Sequence, residues 1–145
     1  MRLERDLTNY DIVKIPQYIT EVNIDTLDFE KLADELIEFD KELKWDEMWT
    51  VDEAKSRLLS GWKLLIFTPG NAIKGWYWLD NTNEPRNLYV NKDYRGKEIG
   101  KEMHFALLNL CKNLKMDRVE CDINDWNVSS QRCIKKAGWI KVEFL

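Results

Sequence analysis

The sequence is short of the residues on which several common chemistries depend. A single histidine, His104, in 145 residues leaves no Ser-His-Asp arrangement to argue and no histidine-based metal set. Cys111, Cys121 and Cys133 are odd in number and lack CxxC spacing. That speaks against a secreted disulfide framework and a zinc ribbon, and it fits a reducing, cytoplasmic compartment. Three prolines and six glycines supply no linker, and no internal repeat is visible, so residues 1–145 read as one domain. No run of about 18 apolar residues occurs and the opening MRLERDLTNYD lacks the core of a signal peptide, so no membrane partner is expected.

What is present suits a globular protein: 44% hydrophobic and 33% charged residues, enough to bury roughly two-thirds of the unfolded surface. The net charge of −4 conceals a split. Residues 1–60 carry 8 Lys+Arg against 16 Asp+Glu, net −8, whereas residues 61–145 carry 14 against 10, net +4. An acidic first half is poorly suited to nucleic-acid phosphates, and a mildly basic second half suits one polyanionic small molecule. Two solvated surfaces of differing sign account for the split equally well.

Tyr10–Ile15 alternates weakly before Pro16, as a first strand would. From Thr26 to Leu43, apolar residues recur at steps of three and four with acids between them, which predicts an amphipathic helix. Thr50-Val51-Asp52-Glu53 has the capping-box pattern and opens a short helix ending at Gly61. Trp62–Phe67 and Ala72–Leu79, joined by Thr68-Pro69-Gly70-Asn71, form a hairpin. A third strand at Asn87–Val90 leads to a helix whose inward face is Ile99, Met103, Ala106, Leu107, Leu110 and Leu114. Val119, Cys121 and Ile123 alternate with polar residues as a half-buried strand. Asn127–Ala137 reads as a helix closed by Gly138, and Trp139–Val142 as a last strand. The order predicts a mixed α/β sheet with helices on its faces.

The junction Arg95-Gly96-Lys97-Glu98-Ile99-Gly100 carries the most chemistry. Glycines let backbone approach a ligand, the first helical amides are free, and the helix dipole favours an anion. Arg95, Lys97 and Lys101 add positive charge. The spacing excludes both a P-loop and a dinucleotide fingerprint. A glycine-containing turn into a core helix explains the loop equally well without any ligand.

In company, the loop says more. Leu88 to Lys101 resembles the acetyl-CoA-binding signature of the GNAT N-acetyltransferase superfamily, a strand followed by (Arg/Gln)-x-x-Gly-x-(Gly/Ala) and a helix. Asn127 to Trp139 resembles that superfamily's second signature, Asn-x-x-(small) with a following Lys-x-Gly-(aromatic). The resemblance covers about residues 50–144 and is strongest over 87–139. It implies a single-domain fold with a mostly antiparallel sheet flanked by helices and splayed where acetyl-CoA enters. It further implies that Arg95, Gly96, Lys97, Glu98, Ile99, Gly100 and Lys101 hold the pyrophosphate. Leu88, Tyr89 and Val90 would pair with the pantetheine arm, which Asn127 and Ser130 would line from the other side.

Three departures accompany the resemblance. Glu98 stands where the pattern has its penultimate glycine; a positive φ there strains a non-glycine residue by about 1 kcal/mol, and its carboxylate repels a pyrophosphate. Ile134 stands where a tyrosine acid often does, so the thiolate would be steadied by the helix N-terminus. The chain ends after one final strand where the family usually adds another, leaving part of the sheet edge absent or supplied by a second subunit of a homodimer.

Glu84, just before the cofactor strand, is the first candidate for a general base, with Asp80, Glu120 and Asp122 behind it. As an exposed loop acid beside Pro85, Glu84 would have no such role. His104 reads as a helix-flank residue rather than a catalyst. Trp45, Trp49 and Trp76, with Asp46 and Glu47, could wall a pocket for a cation, although most tryptophans should be core residues. The expectation is therefore transfer of an acetyl group to a primary amine of a small molecule or peptide, such as a polyamine, an amino sugar or a lysine side chain. The alternatives are a catalytically idle CoA-binding or protein-interaction module and a nucleotide-phosphate binder.

Overall fold

The computed structural model describes residues 1–42, 49–125 and 127–142. In chain order its elements are β1 (Arg2–Asp6), β2 (Ile19–Val22), α1 (Phe29–Glu42), α2 (Val51–Leu59), β3 (Lys63–Phe67), β4 (Gly75–Leu79) and β5 (Pro85–Val90). A 3₁₀ turn at Lys92–Tyr94 follows, then α3 (Ile99–Asn113), β6 (Arg118–Asp122), α4 (Val128–Lys136) and β7 (Ile140–Lys141). Every strand pairing is antiparallel. The strands form two sheets, β2-β3-β4-β5 and β6-β1-β7. β5 and β6 are neighbouring edge strands, and among the described residues no ladder joins them. Arg2 spans this seam: Nη1 donates to Glu84 at 2.8 Å and to Asp122 at 2.9 Å, and Nη2 donates to Glu120 at 2.9 Å. No described helix is long and apolar enough to cross a membrane.

Successive residues of β3 and β4 point to opposite faces, and both faces are covered. Leu65, Phe67, Tyr77 and Leu79 join the core under α3 and α4, while Leu64, Ile66, Trp76 and Trp78 join the core under α1 and α2. That double burial explains why these strands read as unbroken apolar runs. Thr50 caps α2 as its pattern predicts, accepting from the Glu53 amide at 3.2 Å. α1 starts later than Thr26, because Asn23 accepts from the amides of Asp25 and Thr26 and so bends the chain there. Asp28 then accepts from the Lys31 amide.

Tyr10–Ile15 is not a strand, and the first strand is β1 instead. The segment runs along α3, where the Asn109 side chain accepts from the Val13 amide at 3.1 Å and donates to the Val13 carbonyl at 2.7 Å. One carboxamide satisfies backbone groups that a ladder would otherwise pair. Leu114 is not part of the inward face of α3; it follows the last helical residue and is 39% exposed. His104 is no flank residue either. It is buried under β4 with Nδ1 3.2 Å from the Tyr77 hydroxyl, and burial lowers its pKa to about 3, so it stays neutral.

Candidate active site

The turn between β5 and α3 is built to leave amides open. Gly96 has φ +75° and faces empty space where a Cβ would stand. Glu98 follows with φ +66°, a left-handed conformation that L side chains rarely adopt, and its side chain does not cap the helix. The first helical bond runs from the Glu102 amide to the Glu98 carbonyl at 3.1 Å. Among the described residues, the amides of Glu98, Ile99, Gly100 and Lys101 donate to no acceptor. These are the orphan donors at the positive end of the helix dipole.

The carboxylate of Glu98 turns away from the turn toward two lysines, Lys101 at 2.6 Å and Lys136 of α4 at 3.2 Å. Lys101 first, then Lys136, hold its carboxyl below the ordinary range. Lys97 lies 5.6 Å from the centre of the Tyr94 ring. Arg95 donates from Nε to the Val90 carbonyl at 2.9 Å and pairs through Nη1 with Glu42 of α1. Gly100 has a different duty from ligand approach: a Cβ there would stand 2.7 Å from the Cys133 sulfur. Its smallness lets α4 pack against α3.

β5 carries a bulge, with Asn87 and Leu88 together facing Tyr77 of β4. Asn87 takes φ +56° and accepts from Arg57 Nη1 at 3.1 Å. The strand is an edge: among the described residues no ladder pairs the side of its backbone beside the seam, where the Val90 carbonyl accepts from Arg95. Leu88 and Val90 are half-buried toward α3, and Tyr89 is buried toward α1.

On that α1 side lies a group the sequence reading missed. Glu35 is 2% exposed, and its carboxylate accepts from the Tyr89 hydroxyl at 2.8 Å, Asn91 Nδ2 at 2.7 Å and Lys74 Nζ at 3.1 Å. Burial, and then the Glu35 carboxylate, push the Tyr89 phenol well above its ordinary pKa. Next to this network a cavity of about 140 Å³ opens between α1 and the end of β5, lined by Glu38, Lys41, Glu42, Tyr89, Asn91 and Lys92.

Comparison with known proteins gives this geometry a family. A GNAT acetyltransferase domain model matches residues 18–140. The chain belongs to the GNAT acetyltransferase family. No curated protein sequence matches it. Among solved structures, a GCN5-related N-acetyltransferase from Sphaerobacter thermophilus shares 16% identity with a TM-score of 0.69, over 96% of this chain and 47% of that one. An aminoglycoside acetyltransferase from an uncultured soil metagenomic sample shares 14% identity with a TM-score of 0.67, over 88% and 90% of the two chains. A ribosomal-protein-alanine N-acetyltransferase from Brucella melitensis shares 14% identity with a TM-score of 0.67, over 88% and 94%. This chain thus spans about half the length of the Sphaerobacter protein.

Within this GNAT domain the expected residues divide. The turn and α4 come together: Glu98 meets Lys136, and Gly100 meets Cys133. Asn127 caps α4, accepting from the Ser130 amide at 3.2 Å. Ile134 is fully buried, so no acid stands at that position of the helix.

Glu84 is engaged elsewhere, receiving Arg2 at 2.8 Å and Arg86 at 3.4 Å at the seam. Glu120 is held below the ordinary carboxylate range by Arg2, and Asp122 pairs with the same guanidinium. Asp80 organises the β4–β5 turn; burial raises its pKa, and bonds from Thr82, Glu84 and Arg86 outweigh burial and lower it. Among the described residues, Trp49 and Trp76 are core residues rather than part of the cavity wall. They are buried edge to face, with ring centres 4.9 Å apart, and Trp45, Asp46 and Glu47 lie outside the described residues.

Proposed function

We propose that this chain is an acetyl-CoA-dependent N-acetyltransferase acting on a primary amine of a cationic acceptor. The observation that carries the reading is the row of amides at Glu98–Lys101, unclaimed among the described residues, near an edge strand that no ladder closes among those residues. Open amides, a left-handed glycine with free space before it and a helix dipole fit a diphosphate. Those amides would hold the diphosphate, Lys97 would supply charge, and the ladder-free edge of Leu88–Tyr89, before the Val90 carbonyl that Arg95 occupies, would hold the pantetheine arm by backbone bonds. Acetyl-CoA, when bound, supplies an activated acyl thioester.

The acceptor side is assigned to the cavity between α1 and β5. An amine of ordinary pKa, about 10.4, must lose a proton before it attacks. Glu38, on the cavity wall and paired with Lys41 at 3.3 Å, is the carboxylate that would take it. Glu84 is committed to two arginines. The buried Glu35 network positions Tyr89 and Asn91 and thereby ties the end of β5 to α1.

Acetyl-CoA with a panel of spermidine, an amino sugar and a lysine peptide tests the reading through thiol release. Release with at least one amine is expected, and absence of CoA binding would refute it. Strained Glu98 beside the turn and buried Ile134 favour a second reading, a CoA-binding module without turnover. Tight CoA binding with no thiol release on any amine selects that reading.

A further inference from the structure

We propose that Glu42 is the counter-ion a diphosphate must displace from Arg95, and that this exchange couples donor binding to acceptor binding. The inference rests on the cofactor reading above. Glu35, Glu38 and Glu42 follow one another at steps of three and four and so share one face of α1. Each has a cation: Lys74 at 3.1 Å for Glu35, Lys41 at 3.3 Å for Glu38, and Arg95 for Glu42. Lys74 and Lys41 stand outside the turn that would receive the anion. Arg95 belongs to that turn and reaches back from it to α1.

Arg95 is half-exposed and Glu42 is about a quarter exposed, at 24%. A diphosphate offers more negative charge and geometry that matches the guanidinium fork, so it outcompetes a single partly exposed carboxylate. The bond from Arg95 Nε to the Val90 carbonyl keeps the side chain hinged at the end of β5 while its Nη groups change partner. Glu42, which lines the cavity, is then left without its cation. The wall becomes more negative when the donor binds, and a cationic amine binds more tightly as a result. Reciprocity requires the amine to tighten the donor by the same factor.

Calorimetry tests both halves. CoA is titrated into the wild type, Glu42→Gln, Arg95→Gln and the double variant. Glu42→Gln is expected to tighten CoA about three- to tenfold, and to do nothing in the Arg95→Gln background. Glu42→Ala should act in the same direction, which guards against a peculiarity of the amide. Spermidine is then titrated with and without saturating CoA. CoA should tighten it about fivefold in the wild type and less than about twofold in Glu42→Gln.

CoA affinity unchanged or weakened in Glu42→Gln overturns the displacement. Spermidine binding that ignores CoA in the wild type, or responds equally in Glu42→Gln, overturns the coupling. A wild type that binds no CoA overturns the cofactor reading and this inference with it, a failure visible before any variant is made.

Discussion

Replacing Glu98 by glycine should tighten CoA binding while leaving stability nearly unchanged, and the structure sets both magnitudes. Glu98 holds φ +66°, which costs a non-glycine residue about 1 kcal/mol. Glycine removes that strain but loses about as much again through the freedom of its unfolded chain. Folding stability should therefore shift by no more than about 1 kcal/mol. Binding responds differently, because Glu98 occupies Lys101 at 2.6 Å and Lys136 at 3.2 Å. With the carboxylate gone, nothing offsets the positive charges of Lys101 and Lys136 near the turn.

One unit charge acting at about 6 Å, through a dielectric between those of water and a protein surface, is worth about 1 kcal/mol, roughly a fivefold change in Kd. Glu98→Gln keeps the strained backbone and removes the charge, so it should recover most of the gain. In about 0.5 M salt the gain should shrink, because screening then acts over a few ångströms. Calorimetry with CoA at two ionic strengths is the assay. Affinity that is unchanged or weaker in both variants refutes the argument that this carboxylate opposes the anion.

Other consequences can be checked separately. Gly100→Ala puts a methyl 2.7 Å from the Cys133 sulfur, so denaturant titration should show a loss of about 1–3 kcal/mol that Cys133→Ala largely restores. Because His104 is neutral when folded, with its pKa lowered to about 3 against about 6.5 unfolded, the unfolded chain binds the extra proton. Stability should thus fall as pH drops below about 6.5, by about 2 kcal/mol at pH 5, and His104→Gln should flatten that slope; a wild-type curve flat across this window would contradict a buried neutral imidazole. Glu84→Gln should leave turnover within about twofold and lower stability by about 1 kcal/mol, since Arg2 keeps Glu120 and Asp122. A fall in turnover of about a hundredfold would return Glu84 to the role of base.

The parts of the fold that were legible in the sequence are those whose partners lie nearby in the chain. The capped α2, the β3–β4 hairpin, α3 and α4 all announce themselves through local spacing, capping residues or turn residues. β1 does not, because Leu3 is its one fully buried residue and its ladder partners lie more than a hundred residues away in β6 and β7. Tyr10–Ile15 alternates as a strand would, but it is the distant Asn109 side chain, and not a neighbouring strand, that satisfies the Val13 amide and carbonyl. The bulge at Asn87, which Arg57 contacts, and the seam between β5 and β6, which Arg2 spans, are also tertiary facts involving distant elements.

The candidate site divides along the same line, and Glu35 shows why. It stands three residues after Leu32 and four before Phe39, both buried, so a carboxylate on an apolar helical stripe was visible in the sequence as an anomaly. A buried acid requires donors, yet nothing local says that they come from Lys74, Tyr89 and Asn91. Once those donors are known, α1 ceases to be an acidic outer helix and becomes the element that fixes the end of β5. Arg95 extends the same tie to the anion-binding turn through Glu42. The acidic first half of the chain and its basic second half therefore meet near the cavity through Glu35 with Lys74 and Glu42 with Arg95.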